Sequence, residues 1–350
     1  MYKRITNIMI PVIAVILGLV AGAIVMIASG YDPLSGYSAL WKGIFSEPYY
    51  IGETIRVVSP YILAGLAVAF AFRTGLFNIG VEGQFLMGWL AAVWVGTAFD
   101  LPKLIHLPLA VLAAAIAGAL WAFIPGYLKA RFRVHEVITT IMLNYISLHV
   151  VNYIIASVLT DNAEKTEKIK ETASFRSEWL ESLTDSSRLH WGFAVAIAGV
   201  IIMWFLLDKT TKGFELRAVG FNQHASQYAG INVNRNIIYA MLISGAFAGL
   251  AGSMEGLGTF EYIGIKGAHT GVGFDGIAVA LLGSNTAIGV VFAAFLFGGL
   301  KFGALNMPLE TGIPTEIIDV VIALIIFFVA SSYMIRMIIN KFSKKKKGVE

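Results

Sequence analysis

The chain has 350 residues, of which 57% are hydrophobic and only 14% are charged, and its mean hydropathy is +0.75. Soluble domains carry about 25% charged residues, so these figures exclude an ordinary soluble domain and favour a single membrane domain over residues 1–350. The net charge is +4, but the one dense basic run, Lys344 to Lys347, indicates a membrane-edge anchor and no nucleic-acid partner. Without any cysteine there is no disulfide framework, thiolate metal site or cysteine nucleophile.

Apolar runs of spanning length follow one another along the chain. Eight runs are predicted to be membrane-spanning helices, namely 5–29, 57–72, 75–99, 107–128, 137–159, 191–207, 237–257 and 317–339. Two shorter runs, 274–282 and 287–302, flank a polar break and are predicted to be two spans or a broken pair. The fold class is therefore an all-α polytopic membrane protein of about ten spans, with short or broken helices near the centre of each half.

The distribution of basic residues predicts the orientation. With ten spans and a cytoplasmic N-terminus, the cytoplasmic segments hold sixteen Lys and Arg residues and the opposite side holds nine, as the positive-inside rule expects. Both chain ends then lie in the cytoplasm, including the basic tail 341–350. The first run is longer than the apolar core of a signal peptide, so we expect it to remain as a helix.

Two loops differ from the rest in composition. Residues 161–190 are rich in Glu, Lys and Ser, which predicts a solvated outer segment that is either a connector or an outer docking surface. The cytoplasmic loop 209–236 is expected to fold a short helix bracketed by Gly220 and Gly230. Its small residues would allow a partner protein to approach closely.

No catalytic constellation is present in the sequence. The six histidines show no metalloprotease-type pairing with a carboxylate, so no metal site is predicted. The chain also has no G-x-x-x-x-G-K-[ST] loop, so any ATP hydrolysis by the P-loop route needs a separate subunit. We expect a transporter and no enzyme. An ion-coupled secondary transporter of small polar solutes is the alternative, which would use membrane carboxylates such as Glu82, Asp275 or Asp319.

Four segments carry a resemblance to a known family. They read GLFNIGVEGQ at 75–84, VHEVITTIMLNY at 134–145, RAVGFNQHA at 217–225 followed by GINV, and GVGFDGIAVALLG at 271–283. Together they resemble the permease subunits of bacterial ATP-binding-cassette (ABC) importers for nucleosides and simple sugars, the ribose-type, branched-chain-like family. The first segment is more similar to the nucleoside branch, whereas the 161–190 loop matches no family motif.

The resemblance implies a multi-pass protein of the bacterial cytoplasmic membrane that takes up nucleosides, with a purine nucleoside favoured. Its implied partners are the lipid bilayer, a second permease chain in a heterodimer, a cytosolic ABC ATPase and an outer solute-binding lipoprotein. No cofactor is expected in this chain, because the ATPase binds the ATP. The 209–236 loop would contain the coupling helix that docks on the ATPase. The predicted coupling residues are Arg217, Gly220, Asn222, Ala225, Tyr228, Gly230 and Ile231.

Polar residues inside the apolar runs predict the substrate path. In the predicted span 137–159 and just before it, the polar residues recur at spacings of four, four and three, namely Glu136, Thr140, Asn144 and Ser147. They therefore share one helix face, which either lines a pore or forms hydrogen bonds between helices. The Phe77-Asn78 turn offers an aromatic face that can stack a base and an amide that can pair with its edge. The predicted substrate-path residues are Phe77, Asn78, Glu82, Thr140, Asn144, Ser147, Phe274 and Asp275.

Charged residues within the runs have structural alternatives. Glu82 is either a functional membrane carboxylate or a carboxylate stabilised at a helix N-terminus. Asp275 is predicted to cap a short helix, with substrate contact as the alternative. Lys301 and Asp319 are expected at similar depth as a structural ion pair. The small residues at 245–252 predict close helix packing.

Overall fold

The computed structural model describes residues 2–161 and 163–331. Helices dominate these residues, and an isolated bridge between Lys165 and Gly264 is the one β-type contact among them. The prediction of an all-α fold is confirmed. The basic tail 341–350 and the end of the last predicted span lie outside the described residues.

The helices follow each other with short connections. In chain order they are α1 (Tyr2–Ala28), α2 (Pro33–Phe45), α3 (Pro48–Arg73), α4 (Val81–Ala98), α5 (Lys103–Phe132), α6 (Glu136–Ile154), α7 (Glu178–Leu183), α8 (Gly192–Lys209), α9 (Thr211–Phe221), α10 (Gln223–Tyr228), α11 (Val233–Met254), α12 (Val272–Leu282), α13 (Ala287–Gly303), α14 (Met307–Thr311) and α15 (Glu316–Ala330). Helices α6 and α11 each continue into a π-helical turn, Ile155–Leu159 and Glu255–Thr259.

Seven helical stretches among the described residues are long and apolar enough to cross a bilayer. They are Pro11–Ala28, Pro48–Arg73, Lys103–Phe132, Glu136–Leu159, Gly192–Lys209, Val233–Thr259 and Ala287–Thr311. The predicted short run at 274–282 is the 11-residue helix α12. The total of ten spans and the orientation stay predictions.

Two helix starts differ from the prediction. Helix α3 begins at Pro48, well before residue 57, because proline suits the first helical position. Its polar residues Glu53 and Arg56 are buried as an ion pair of 2.8 Å, which a hydropathy window cannot anticipate. Helix α4 begins at Val81 and not at residue 75, because the chain first turns at Gly75, which has φ 76°.

Residues 1–46 and 299–350 form one compact unit. In its described part α1 packs against α15, and α2 packs against α14. Helix α2 was not predicted. It begins at a strong signal that the sequence does contain, since the Asp32 side chain accepts hydrogen bonds from the backbone N–H groups of Leu34 and Ser35.

The same unit contains the predicted ion pair. Lys301 Nζ lies 3.8 Å from Asp319 Oδ1, so the predicted contact is confirmed. The two side chains are 33% and 66% exposed. The pair is therefore partly exposed.

Residues 47–298 form the second compact unit. Helix α11 lies at its centre and packs against α3, α4 and α5. Its small residues make this possible, because a Cβ on Gly249 would collide with the carbonyl oxygen of Ala114 on α5. The predicted packing role of residues 245–252 is confirmed.

The 161–190 segment belongs to this unit and is less solvated than its composition suggests. Apolar side chains between its charges, among them Phe175 and Leu180, are buried. Arg176 holds the segment by donating to the carbonyls of Gly258 and Thr259 at 2.9 and 2.8 Å. The segment is therefore solvated at its charged residues and packed at its apolar ones, a spacing that average polarity hides.

Candidate functional site

Asn78 lies in the turn before α4 and joins three segments. Its side chain is fully buried. The amide donates to Gln84 Oε1 and to Ser244 Oγ, both at 2.8 Å, and Oδ1 accepts from the backbone N–H of Gly80 at 3.0 Å. Ser244 of α11 in turn donates to the carbonyl of Ala67 on α3 at 2.7 Å. Asn78 therefore ties the start of α4 to α11 and, through Ser244, to α3.

Glu82 lies in the first turn of α4 and is fully buried. Its Oε1 accepts from the backbone N–H and the hydroxyl of Thr270, both at 2.6 Å, and from the Gly271 N–H at 3.1 Å. Its Oε2 accepts from the Gly273 N–H at 2.7 Å. These N–H groups surround the start of α12, where a helix has donors without internal acceptors. Glu82 thus caps a helix that lies 188 residues or more further along the chain.

The capping role predicted for Asp275 is wrong. Helix α12 has Gly271 at its N-cap and begins at Val272, so Asp275 lies inside the helix. Its Oδ2 instead accepts a hydrogen bond from the Tyr61 hydroxyl of α3 at 3.1 Å. Glu82 was predicted to be either a functional membrane carboxylate or a carboxylate at a helix N-terminus. Its contacts match the second alternative, but the helix that it caps is α12 and not α4, to which it belongs.

The polar stripe of α6 faces α4. Thr140, Asn144 and Ser147 are buried. The Asn144 side chain accepts from the Gly83 N–H at 2.9 Å and donates to the Ile79 carbonyl at 3.0 Å. Thr140 and Ser147 donate to carbonyls of their own helix. These contacts favour helix packing over pore lining, and substrate contact at these three residues stays a prediction.

The two predicted aromatic residues differ in their surroundings. Phe77 is half-buried and stacks on Phe72, with ring centroids 4.9 Å apart. Phe274 is 39% exposed and meets the His269 ring edge-on at 5.7 Å. Among residues 2–161 and 163–331, no group of His, Asp and Glu side chains is arranged to hold a metal ion.

The predicted coupling segment forms two helices. Asn222 ends α9 and begins α10, because its side chain accepts from the Ala225 N–H at 3.0 Å. After α10 the chain turns at Gly230, which has φ 81°. The short helix expected between Gly220 and Gly230 therefore begins later than predicted, at Gln223, because Asn222 caps it.

Gly220 lies inside α9 and packs directly against the backbone of Thr74 and Gly75. A Cβ on Gly220 would lie only 2.7 Å from the carbonyl carbon of Thr74. Gly75 meets the Gly220 backbone equally closely. Helix α9 therefore touches the turn that leads directly to Asn78.

The surface of α9 and α10 carries exposed aromatic rings. Phe221 is 90% exposed and Tyr228 is 95% exposed. Ala225 and Gly230 are exposed as well, and Ile231 is half-buried. We call these five residues the coupling surface. Large exposed apolar groups beside small residues are typical of a protein-binding surface.

Charged groups fix α9 to its neighbours. Arg217 Nη1 and Arg73 Nη2 lie 3.4 and 3.5 Å from the same Asp208 oxygen. The Lys212 ammonium, which donates to Glu215 at 2.7 Å, is the main cause that lowers the pKa of Glu215. Arg217 thus links α9 to α3 through the carboxylate at the end of α8.

Residues 50–330 match the family model of the branched-chain amino acid transport system / permease component. The chain belongs to this permease family. The permease is 70% identical over 345 residues to the guanosine ABC transporter permease protein NupP of Bacillus subtilis, covering 99% of both chains. It is 44% identical to the nucleoside ABC transporter permease protein NupB of Lactococcus lactis, covering 97% of this chain and 95% of that one. A second Bacillus subtilis protein, the guanosine ABC transporter permease protein NupQ, is 30% identical over 75% of this chain and 85% of its own length.

These relationships confirm the resemblance drawn from the four sequence segments. The permease is a multi-pass protein of the cell membrane, and it is a transport protein and not an enzyme. Its membership also accounts for the large apolar surface of its helices.

Sequence reasoning missed several partners of the predicted residues in this permease. Ser244 bonds Asn78, Tyr61 bonds Asp275 and Thr270 bonds Glu82. The sequence does hint at Ser244 as a hydrogen-bonding residue, because its hydroxyl lies next to a run of small residues on a predicted span. It gives no such hint for the other two, since only folding brings α3, α4 and α12 together.

Proposed function

We propose that this permease is the membrane subunit of an ABC importer that takes up nucleosides, with a purine nucleoside favoured. The 70% identity to a guanosine permease over 99% of both chains carries the proposal. The 44% identity to a nucleoside permease, over 97% of this chain and 95% of that one, supports the same substrate class.

The importer would be completed by three further components. A second permease chain closes the transport path, a cytosolic ABC ATPase supplies the energy, and an outer solute-binding lipoprotein delivers the nucleoside. The two Bacillus subtilis guanosine permeases support a heterodimer of unlike permease chains. The ATPase docks on the coupling surface of α9 and α10.

Contacts within one compact unit connect this surface to the interior. Helix α9 touches Thr74 and Gly75 through Gly220. The turn after Gly75 carries Asn78, and the first turn of α4 carries Glu82, which holds the start of α12. Movement of α9 on ATP binding therefore reaches α12 through the packed backbone at Gly75 and the hydrogen bonds of the Glu82 carboxylate.

Uptake by cells tests the substrate class. A strain that lacks its own nucleoside uptake receives the complete importer and is supplied with radiolabelled guanosine. We expect uptake that excess unlabelled inosine reduces and excess ribose does not. Uptake reduced by ribose but by no nucleoside would contradict the proposal.

Substitution on the coupling surface tests the ATPase contact. Ala225→Glu places a carboxylate in the middle of that surface and should abolish uptake and co-purification of the ATPase while the permease still inserts. Thr211→Glu is the matched control, since Thr211 is exposed in the first turn of α9, where a carboxylate is tolerated. Normal uptake and normal ATPase recovery with Ala225→Glu would place the contact elsewhere.

A further inference from the structure

His269 has hydrogen-bonding capacity that the described protein leaves unused. Both imidazole nitrogens are shielded from solvent, and neither has a hydrogen-bond partner within residues 2–161 and 163–331. A shielded polar group without a partner costs free energy, so native proteins rarely keep one without a reason. By contrast, His106 is fully buried and both of its nitrogens are paired, with Thr172 Oγ1 at 2.7 Å and the Val95 carbonyl at 2.9 Å.

The segment around His269 is held firmly at both ends. Asn152 of α6 makes two hydrogen bonds to the Lys266 backbone, at 2.8 and 3.0 Å. Glu82 holds the backbone N–H groups of Thr270 and Gly271, directly after His269. The imidazole is therefore positioned by saturated contacts on each side, as a recognition residue needs to be.

Two aromatic rings flank the imidazole. The Tyr145 and Phe274 rings meet it edge-on, with centroid distances of 5.2 and 5.7 Å. Both rings are partly exposed, Tyr145 to 56% and Phe274 to 39%. An exposed aromatic ring beside an unpaired imidazole is an arrangement that can stack a heterocyclic base and bond its edge.

The exposed side of α6 carries two ionisable rings beside the apolar side chains of Ile138, Met142 and Ile146. Tyr145 lies near the middle of the Glu136–Leu159 span, and His149, one turn further, is exposed as well. Ionisable residues at membrane depth face protein or a water-filled path. The part of this side that carries Tyr145 and His149 is therefore expected to face a water-filled path or a partner protein.

We infer that His269 recognises the edge of a nucleobase that stacks on the exposed ring of Tyr145 as the nucleoside passes through the permease. The inference rests on the proposed nucleoside transport. A neutral imidazole offers one donor and one acceptor. Guanine offers the acceptor N7 on one edge and the donor N2–H₂ on the other, and His269 bonds one of these two groups. His269 thus supplies base selectivity within the membrane, in addition to any selectivity of the soluble binding protein.

The test compares uptake of guanosine with uptake of two nucleoside analogues, called the edited nucleosides below, each of which lacks one hydrogen-bonding group of guanine. Inosine lacks the exocyclic amino group, and 7-deazaguanosine lacks the N7 acceptor. The complete importer carries either the wild-type permease or His269→Phe, which keeps an aromatic ring between Tyr145 and Phe274 but removes both nitrogens. Because all other subunits are the same, a change in the uptake ratio belongs to the permease.

We expect His269→Phe to lower the ratio of guanosine uptake to that of at least one edited nucleoside by about threefold to tenfold, the effect of one lost hydrogen bond. His269→Gln, which keeps a donor and an acceptor, should restore the ratio in part. His135→Phe, at an exposed histidine, should leave it unchanged. If His269→Phe does not accumulate, His269→Leu replaces it.

Two results would overturn the inference in distinguishable ways. Unchanged ratios for both edited nucleosides, with wild-type uptake of guanosine intact, would show that His269 does not read the base while nucleoside transport stands. No uptake of any of the three nucleosides by the wild-type importer would overturn the proposed function and the inference together.

Discussion

The polar residues around Glu82 and the imidazole of His269 lie close in the fold but differ in one respect. In the first region, the polar side-chain atoms form hydrogen bonds with partners inside the protein, as at Glu82, Asn78 and Asn144. His269, one residue before the segment that Glu82 holds, has two shielded nitrogens without a partner in the described chain. A polar residue in a membrane span is thus not in itself a sign of substrate contact. What distinguishes the two regions is whether the protein satisfies the group.

The largest effect is expected at Glu82. Glu82→Ala removes the acceptor of four hydrogen bonds and leaves buried N–H groups at the start of α12 unpaired. We expect a loss of about 3 kcal/mol or more in the free energy of unfolding, because each unpaired buried donor costs about 1–3 kcal/mol. Thermal unfolding of the purified importer in detergent measures it.

The control for Glu82 is an exposed carboxylate. Asp100 pairs with Lys170 at 2.6 Å, but its side chain is 89% exposed. Asp100→Ala should change the unfolding temperature very little. Equal losses at the two positions would mean that the contacts of Glu82 do not stabilise α12.

A smaller loss is expected at Asn144. Asn144→Leu removes the partners of the Gly83 N–H and the Ile79 carbonyl and should cost about 1–2 kcal/mol. The amount of folded permease and the uptake per cell should fall together, because the residue packs α6 on α4. If uptake falls far more than the amount of folded protein, Asn144 contacts the substrate, as the sequence predicted.

The Lys301 and Asp319 pair should contribute less still. Because both side chains are partly exposed, we expect a coupling energy of about 0.5 kcal/mol. A double-mutant cycle with Lys301→Met and Asp319→Asn, followed by thermal unfolding, measures the coupling. A coupling above about 2 kcal/mol would mean that the pair is desolvated in the membrane.

The smallest effect on stability is expected at His269. His269→Phe removes no hydrogen bond within the described chain, so the unfolding temperature should stay the same or rise. His106→Phe, at a buried histidine with both nitrogens paired, should lower it clearly. Similar losses at the two histidines would show that His269 has a structural partner after all.

The sequence predicted what depends on local pattern. Long apolar runs predicted the membrane class and the helical fold, and the short helix predicted between Gly220 and Gly230 is present as α10, which begins at Gln223. The contact of Lys301 with Asp319 followed from the order of neighbouring spans. These features need only periodicity, length and charge.

The remaining features depend on contacts between distant segments. Glu82 reaches residues 188 or more positions away, and no local pattern announces which helix it caps. Helical spacing placed Asn144 and Tyr145 on neighbouring faces of α6, but only packing against α4 decides which face is buried. The burial of Phe175 in the 161–190 segment likewise depends on helix ends that come together only in the fold.

Energy coupling is tested most directly by reconstitution of the complete importer in liposomes with radiolabelled guanosine on the side of the binding protein. We predict uptake that requires ATP on the ATPase side, persists when ionophores collapse the ion gradients, and disappears with the Ala225→Glu permease. Guanosine uptake that needs no ATP and stops when the ion gradients collapse would contradict the account and identify an ion-coupled carrier.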